Sequence, residues 1–305
     1  MASSAPDLPS PQDGEAATSV LLRRLLDEQV SAVHAADGAL RPDLHSGVQR
    51  LRVSIRRLRS TLGAFRPMFD VSVDGLRDEL AWISSEFDAM RDAEMLRGRV
   101  TAAGESEQQR ATAAIDVLEP YLSSAHHDGL ARAERAWRSE RYAELSASLR
   151  RLFGSQILSP AAQRPATEVL PELADGELTR VANLLQQITA SSGGSKDLDE
   201  VMHRLRLATK RARYVSATLR ETHHVGVGKL ERDLKRLQSL LDERRDSAVT
   251  RRVLGELLAT HQLDDAGTAA VQRHLAQEVA LTSTLDQKVP SAARKVTRWQ
   301  GSLSP

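Results

Sequence analysis

A basic helical motif occurs twice in this chain of 305 residues, and its recurrence constrains the fold more than any other feature. Val48 to Arg59 reads VQRLRVSIRRLR, and Met202 to Arg213 reads MHRLRLATKRAR. At an offset of 154 residues almost every charge has a counterpart: Arg50/Arg204, Arg52/Arg206, Arg56/Lys210, Arg57/Arg211 and Arg59/Arg213. The same offset pairs Asp43-Leu44 with Asp197-Leu198, Leu76 and Leu80 with Leu230 and Leu234, and Asp88–Asp92 with Asp242–Asp246. Such persistence implies two similar helical halves packed about a pseudo-two-fold axis.

The charge is local. Gln49 to Arg66 holds six Arg and no acid, and Val201 to Arg220 holds five Arg, one Lys and no acid, in a chain whose net charge is only +1. Two dense cationic rows in a nearly neutral protein point to a site for a polyanion. They act at short range, since screening sets in beyond roughly 8 Å at physiological salt. With no Cys, the chain has neither a disulfide framework nor a thiolate metal site, which fits a reducing cytoplasm. No stretch approaches the roughly 18 apolar residues of a membrane span. Residues 1–17, rich in Pro, Ser and Ala, read as a disordered tail and not as a signal peptide.

Helix formers dominate and strand-like alternation is scarce, so an all-α fold is expected. Helices are placed near 18–37, 43–66, 73–99, 106–125, 130–153, 173–190, 196–221, 227–259 and 265–285. The expected helical domain covers 18–300. It divides into a first half at 18–158, a linker at 159–172 marked by Pro160, Pro165 and Pro171, and a second half at 173–300.

On a helical projection Val48, Leu51, Ile55, Leu58, Leu62 and Phe65 form one apolar stripe. Gln49, Arg52, Arg56 and Arg59 form a second stripe, rotated about 100° from the first, so the cations border the core. His203, Arg206, Lys210 and Arg213 repeat that row. Neither Arg52 nor Arg206 has an acid one turn away in its own helix, and like charges at this spacing repel by a few tenths of a kcal/mol. An unpaired row suggests an absent anionic partner. The alternative is pairing with acids of neighbouring helices, for which 41 acids are available. Arg suits phosphate through its planar fork. From Arg52 to Arg59 the helix rises roughly 10 Å, enough for about three phosphates at nucleic-acid spacing.

These residues resemble the CHAD family, the conserved histidine α-helical domain, whose hallmark is a twice-repeated helix of the form V-H-x-x-R-V-x-x-R-R-L-R. The second copy, from His203 through Arg213, fits well; the first carries Gln49 where the family's His stands. The pairs Arg91-Asp92 and Arg245-Asp246 resemble a second recurring family element. The resemblance implies two four-helix halves around a basic central groove, and binding of inorganic polyphosphate, often at cytoplasmic polyphosphate granules. Carried over by position, it implies binding by Arg52, Arg56, Arg57, Arg59, His203, Arg206, Lys210, Arg211 and Arg213, with Gln49, Arg50, Arg204 and Lys235 as additional candidates.

Other motifs carry less. His203 reads either as a phosphate donor or as a polar residue at the groove edge. His126-His127 and His223-His224 are adjacent pairs that cannot face one another on a helix, so no metal site is expected from them. Arg91 and Arg245 are expected to pair with Asp92, Asp246 or other acids rather than to reach the groove. Trp82 is assigned to the core. Gly226-Val227-Gly228-Lys229-Leu230 lacks the leading Gly and final Ser/Thr of a phosphate loop. Glu105-Ser106-Glu107 lacks the Lys of the triphosphate-tunnel motif often fused to CHAD domains. No catalytic constellation or cofactor site stands out, so a non-catalytic binding module is expected. Nucleic acid is the alternative ligand, disfavoured because only 3% of residues are aromatic and few bases could stack. The sequence specifies no protein partner and no oligomeric state.

Overall fold

Asp43 starts the first basic helix. Its carboxylate accepts the Ser46 N–H at 3.1 Å, satisfying one of the orphan donors at the N-terminus of a helix. From there Val48, Leu51, Ile55, Leu58, Leu62 and Phe65 are all buried, so the apolar stripe is the core face of this helix. In the computed structural model, residues 16–102, 108–154, 157–190, 195–222, 226–260 and 263–303 are described. Among them the fold is all-α: α1 (Thr18–Ala39), α2 (Leu44–Ala64), α3 (Asp74–Glu86), α4 (Asp88–Ala102), α5 (Gln108–Trp137), α6 (Glu140–Gly154), α7 (Ala166–Ala190), α8 (Ser195–Leu219), α9 (Val227–Thr260) and α10 (Asp265–Thr297). No helix among the described residues is long and apolar enough to cross a membrane.

The basic helices α2 and α8 pack against each other at the centre, flanked by α1 and α3 on one side and by α7 and α9 on the other. One continuous core runs under both: Leu51 and Leu58 from α2 join Leu205, Ala208 and Ala212 from α8, and Leu234 and Leu237 from α9. A smaller core lies at one end, where Leu96 and Val100 of α4 meet Leu118 and Leu122 of α5, Leu254 and Leu257 of α9, and Val271 of α10. Both cores draw on residues before and after the middle of the chain, so neither part of the sequence buries its apolar surface alone.

Several helix boundaries differ from expectation. The segment expected as one helix at 73–99 breaks at Phe87, which is fully buried. The gap expected after residue 125 is absent, because α5 runs on to Trp137; the break comes at Ser139, whose hydroxyl accepts the Tyr142 N–H at 3.2 Å. Gly129, which resembles a breaker in sequence, is a close-approach residue: a Cβ there would lie 2.5 Å from the Met90 backbone N of α4. The expected linker at 159–172 is shorter than its prolines suggest. Helix α7 already begins at Ala166 and contains Pro171 in its second turn, and α10 likewise continues through Pro290 to Thr297. The short connection is tied down on both sides. Ala166 donates to the Ala16 carbonyl at 3.0 Å, and Ser159 donates to the Met68 carbonyl at 2.9 Å. Ala16 and Ala17 therefore belong to the fold and not to the tail; the tail to Glu15, the string Glu105-Ser106-Glu107 and His223-His224 lie outside the described residues. Trp82 is a half-covered residue at the core margin, with the Arg141 guanidinium stacked 4.1 Å over its ring.

The α4/α5 crossing yields a stability test. Gly129→Ala should destabilise by about 1–3 kcal/mol through overpacking against Met90. Gly98→Ala, in an exposed turn of α4 with nothing within 4 Å of the added carbon, should stabilise by about 0.5–1 kcal/mol. Urea unfolding of the two variants reads both signs.

Candidate functional site: a basic groove between two helices

The cationic rows of α2 and α8 face each other across a cavity of about 230 Å³. Arg52, Arg56 and Arg59 line it from one side, and His203, Arg206, Lys210 and Arg211 from the other. Arg77 of α3 and Arg245 of α9 close its ends, and Asp88 is the single carboxylate among its lining residues. Gly63 lets the walls meet: a Cβ there would sit 3.2 Å from the Arg77 guanidinium and 3.5 Å from the Arg211 side chain.

The structure separates the candidates that share this cavity from those that do not. Arg57 and Arg213 are exposed and lie outside its lining; Arg213 instead donates to Gln238 Oε1 at 2.7 Å. Arg50 and Lys235 are solvent-exposed. Gln49 turns away toward Glu94, donating to it at 3.0 Å. Arg204 lines a neighbouring cavity of about 330 Å³ with Arg180 of α7, and that cavity shares Leu207 and Arg211 with the central one. On the opposite flank a third cavity, of about 570 Å³, shares His203, Arg206 and Arg245 with the centre and adds Arg244, Arg251 and Arg252. A cationic track thus runs across α8 through three adjoining cavities.

Part of the row is paired, contrary to the expectation from single-helix spacing. Arg52 donates to Asp88 Oδ1 through Nε at 3.1 Å and Nη2 at 2.9 Å. Arg206 pairs with Asp242, which also lies 3.5 Å from Lys210 Nζ. Arg211 Nε lies 3.0 Å from both carboxylate oxygens of the buried Glu177. The Arg52–Asp88 and Arg206–Asp242 contacts span the same sequence separation of 36 residues. Arg91 and Arg245 also pair as expected, each reaching the other's neighbour: Arg91 meets Asp246 at 2.8 Å and Arg245 meets Asp92 at 3.1 Å, across the α4/α9 contact. Burial pushes the Asp92 carboxyl up to about 6 despite Arg91 beside it. Arg245 reaches the groove as well.

Arg56 and Arg59 stay without an ion pair among the described residues. Burial lowers the pKa of both; Arg52 and Arg206 add to this at Arg56, and Arg77 at Arg59. Lys210 is pushed down to about 7, first by burial and then by Arg206 and Arg56, against the pull of Asp242. His203 is lowered by burial and by Arg206. Burial works against the Asp242 carboxylate too, but Lys210 and Arg206 outweigh it and hold its pKa low. This groove is short of negative charge.

The CHAD-domain family model matches residues 24–255. The chain belongs to the CHAD family. The CHAD domain superposes on PptA from Streptomyces chartreusis with a TM-score of 0.74 at 21% identity, covering 92% of this chain and 100% of that one. It also superposes on the CHAD domain from the plant Ricinus communis with a TM-score of 0.67 at 20% identity, covering 96% and 97% of the two chains. Two uncharacterized proteins of Mycobacterium tuberculosis, from strains CDC 1551 / Oshkosh and ATCC 25618 / H37Rv, are each 25% identical over 293 residues, 91% of this chain and 53% of theirs. The chain therefore spans about half the length of these curated relatives.

Lys210 gives the groove a pH signature. An unfolded Lys stays charged to about pH 10, whereas Lys210 in the fold is charged only below about 7. The cost of holding its charge in place is absent at high pH, grows as pH falls from about 10 to 7, and is constant below. Lys210→Met should therefore stabilise the ligand-free domain more at pH 7.5 than at pH 9.5, by roughly 2 kcal/mol or several degrees in Tm. Thermal unfolding at the two pH values measures it, above the range where His203 titrates.

Proposed function

We propose that the groove between α2 and α8 binds inorganic polyphosphate and does not turn it over. The observation that carries this reading is the pair of half-buried guanidiniums of Arg56 and Arg59, which make no ion pair among the described residues and whose pKa values burial and neighbouring cations lower by more than the acids nearby raise them. An extended anion relieves that repulsion along its whole length, and the adjoining cavities give a longer chain a continuation on either side of α8. Family membership supports the ligand class, since the CHAD resemblance implies polyphosphate. Asp88 is the single lining carboxylate and Arg52 occupies it, so the groove offers no acid pair for general acid–base work or for a catalytic metal. Nucleic acid is the weaker reading, because no Phe, Tyr or Trp lines any of the three cavities and His203 is their one stacking ring.

Two further readings accompany the proposal. Residues 18–158 and 173–300 form two halves related by a pseudo-two-fold axis; the twin Arg–Asp contacts and the reciprocal Arg91–Asp246 and Arg245–Asp92 pairs support this. In the cell the domain serves in the cytoplasm to bring the protein to polyphosphate granules.

Titration of long-chain polyphosphate against salt tests the binding site. Arg56→Ala with Arg59→Ala should weaken binding about 100-fold, close to 2.7 kcal/mol, and make the salt dependence shallower. Arg57→Ala with Arg213→Ala should stay within a few-fold of wild type. RNA at equal phosphate concentration should fail to displace the ligand, and chain length should be unchanged after long incubation with Mg²⁺. A folded wild type that does not bind, or an Arg56/Arg59 variant that binds normally, refutes the proposal.

A further inference from the structure

Beyond the end of the cationic row on α2, and outside the groove lining, three side chains from three helices converge. His45 stands in the first turn of α2, Glu94 in α4 and His126 in α5, with one donor atom from each inside a 4.8 Å sphere of mutual separation. His45 Nε2 is 3.4 Å from Glu94 Oε1, and His126 Nδ1 is 3.8 Å from the same oxygen. Donors bonded at about 2.0–2.1 Å in a tetrahedral shell lie roughly 3.3–3.5 Å apart, so these separations need only small side-chain adjustments to close on one ion. Glu94 Oε1 and His126 Nδ1 are both buried and have no hydrogen-bond partner. A buried acceptor left unpaired costs about 1–3 kcal/mol, and two such atoms aimed at one point are satisfied together by a cation.

We propose that His45, Glu94 and His126 form a site for a divalent transition metal, best suited to Zn²⁺. Two imidazoles and one carboxylate are the donor set that ion takes with a fourth position left to solvent. The surroundings supply the orienting contact such sites use. Gln49 Nε2 donates to the other Glu94 oxygen at 3.0 Å, turning Oε1 toward the histidines. The same amide lies 3.2 Å from His45 Nε2, where it holds the ring's place until a cation displaces it. The site belongs to the first repeat alone. At the 154-residue offset His45 becomes Asp199, which is paired with Arg244 at 2.7 Å, and Glu94 becomes Ala248. Gln49, where the family motif carries His, is therefore a residue that serves this cluster. His126 finds its partners on other helices and not in the adjacent His127, whose Nδ1 sits 2.7 Å from the Ser123 carbonyl.

The test is calorimetric titration of metal-free protein with zinc chloride, paired with elemental analysis after dialysis. One Zn²⁺ per chain is expected, with a rise in Tm that tracks free zinc. His126→Ala and, independently, the half-exposed His45→Ala should each weaken binding at least 100-fold while circular dichroism stays helical; His127→Ala should bind like wild type. Co²⁺ in place of Zn²⁺ should give the visible absorption of a four-coordinate N/O site, and His126→Ala should abolish it. The proposal is overturned if folded wild type takes up no stoichiometric zinc, or if both His variants bind it unchanged; the three residues would then be an ion-paired cluster only. Polyphosphate binding by His126→Ala should persist, so failure here is distinguishable from failure of the groove.

Discussion

Everything at the centre of this molecule depends on placing cations beside an apolar seam. The stripe of α2 must be buried, and the cationic row lies about 100° from it, so packing α2 on α8 draws both rows partly out of water. Removing a charge from water costs several kcal/mol unless a partner compensates. The fold answers with three acids from neighbouring helices: Asp88 at the head of α4, Asp242 on α9 and Glu177 on α7. These carboxylates fix Arg52, Arg206 and Arg211 as rigid walls. They are too few to pair the whole row, and among the described residues Arg56 and Arg59 make no ion pair. The walls are thus preorganised, and an anion drawn to Arg56 and Arg59 would find its partners already in place, at a lower ordering cost.

The same economy of acids explains why α4 and α9 meet where they do. Arg91 and Arg245 each reach across to the aspartate that follows the other, a closed ring of four charges at the boundary between the main core and the smaller one. Removing one arginine would leave two half-buried carboxylates sharing the other arginine, so the ring specifies register more than it adds net stability.

Much of this was legible in the sequence. The apolar stripe, the cationic row and the all-α class follow from period and composition alone, and the row supplies Arg52, Arg56, Arg59, His203, Arg206 and Lys210 of the groove; Arg211 comes from the family resemblance, and Gln49 and Arg213, also on the row, lie outside the lining. What misled was treating each helix by itself. Arg52 has no acid one turn away, yet Asp88 recurs at the same offset as Arg52, and that shared recurrence was a signal that the two pair. Arg77 carried no such signal, because its counterpart at the repeat offset is Glu231. The exposed positions of Arg57 and Arg213 depend on how far each helix is rotated against its neighbour, which a projection resolves only to about a residue. Pro171 and the gap at 126–129 looked like breaks for a related reason. Pro171 lies in the second turn of α7, past the free N–H groups of the helix start, so the helix runs on through it at the loss of one backbone hydrogen bond, as α10 does at Pro290; glycine is tolerated where another helix must come close.

The depressed pKa of Lys210 makes the charge of the groove a variable. At neutral pH this amine is about half protonated. An anion seated beside it would stabilise the ammonium, so its entry would take up a fraction of a proton from solution and its departure would return it. Occupancy of the proposed site would thereby be linked to local acidity, tightening as pH falls and loosening as it rises, without any movement of the helices.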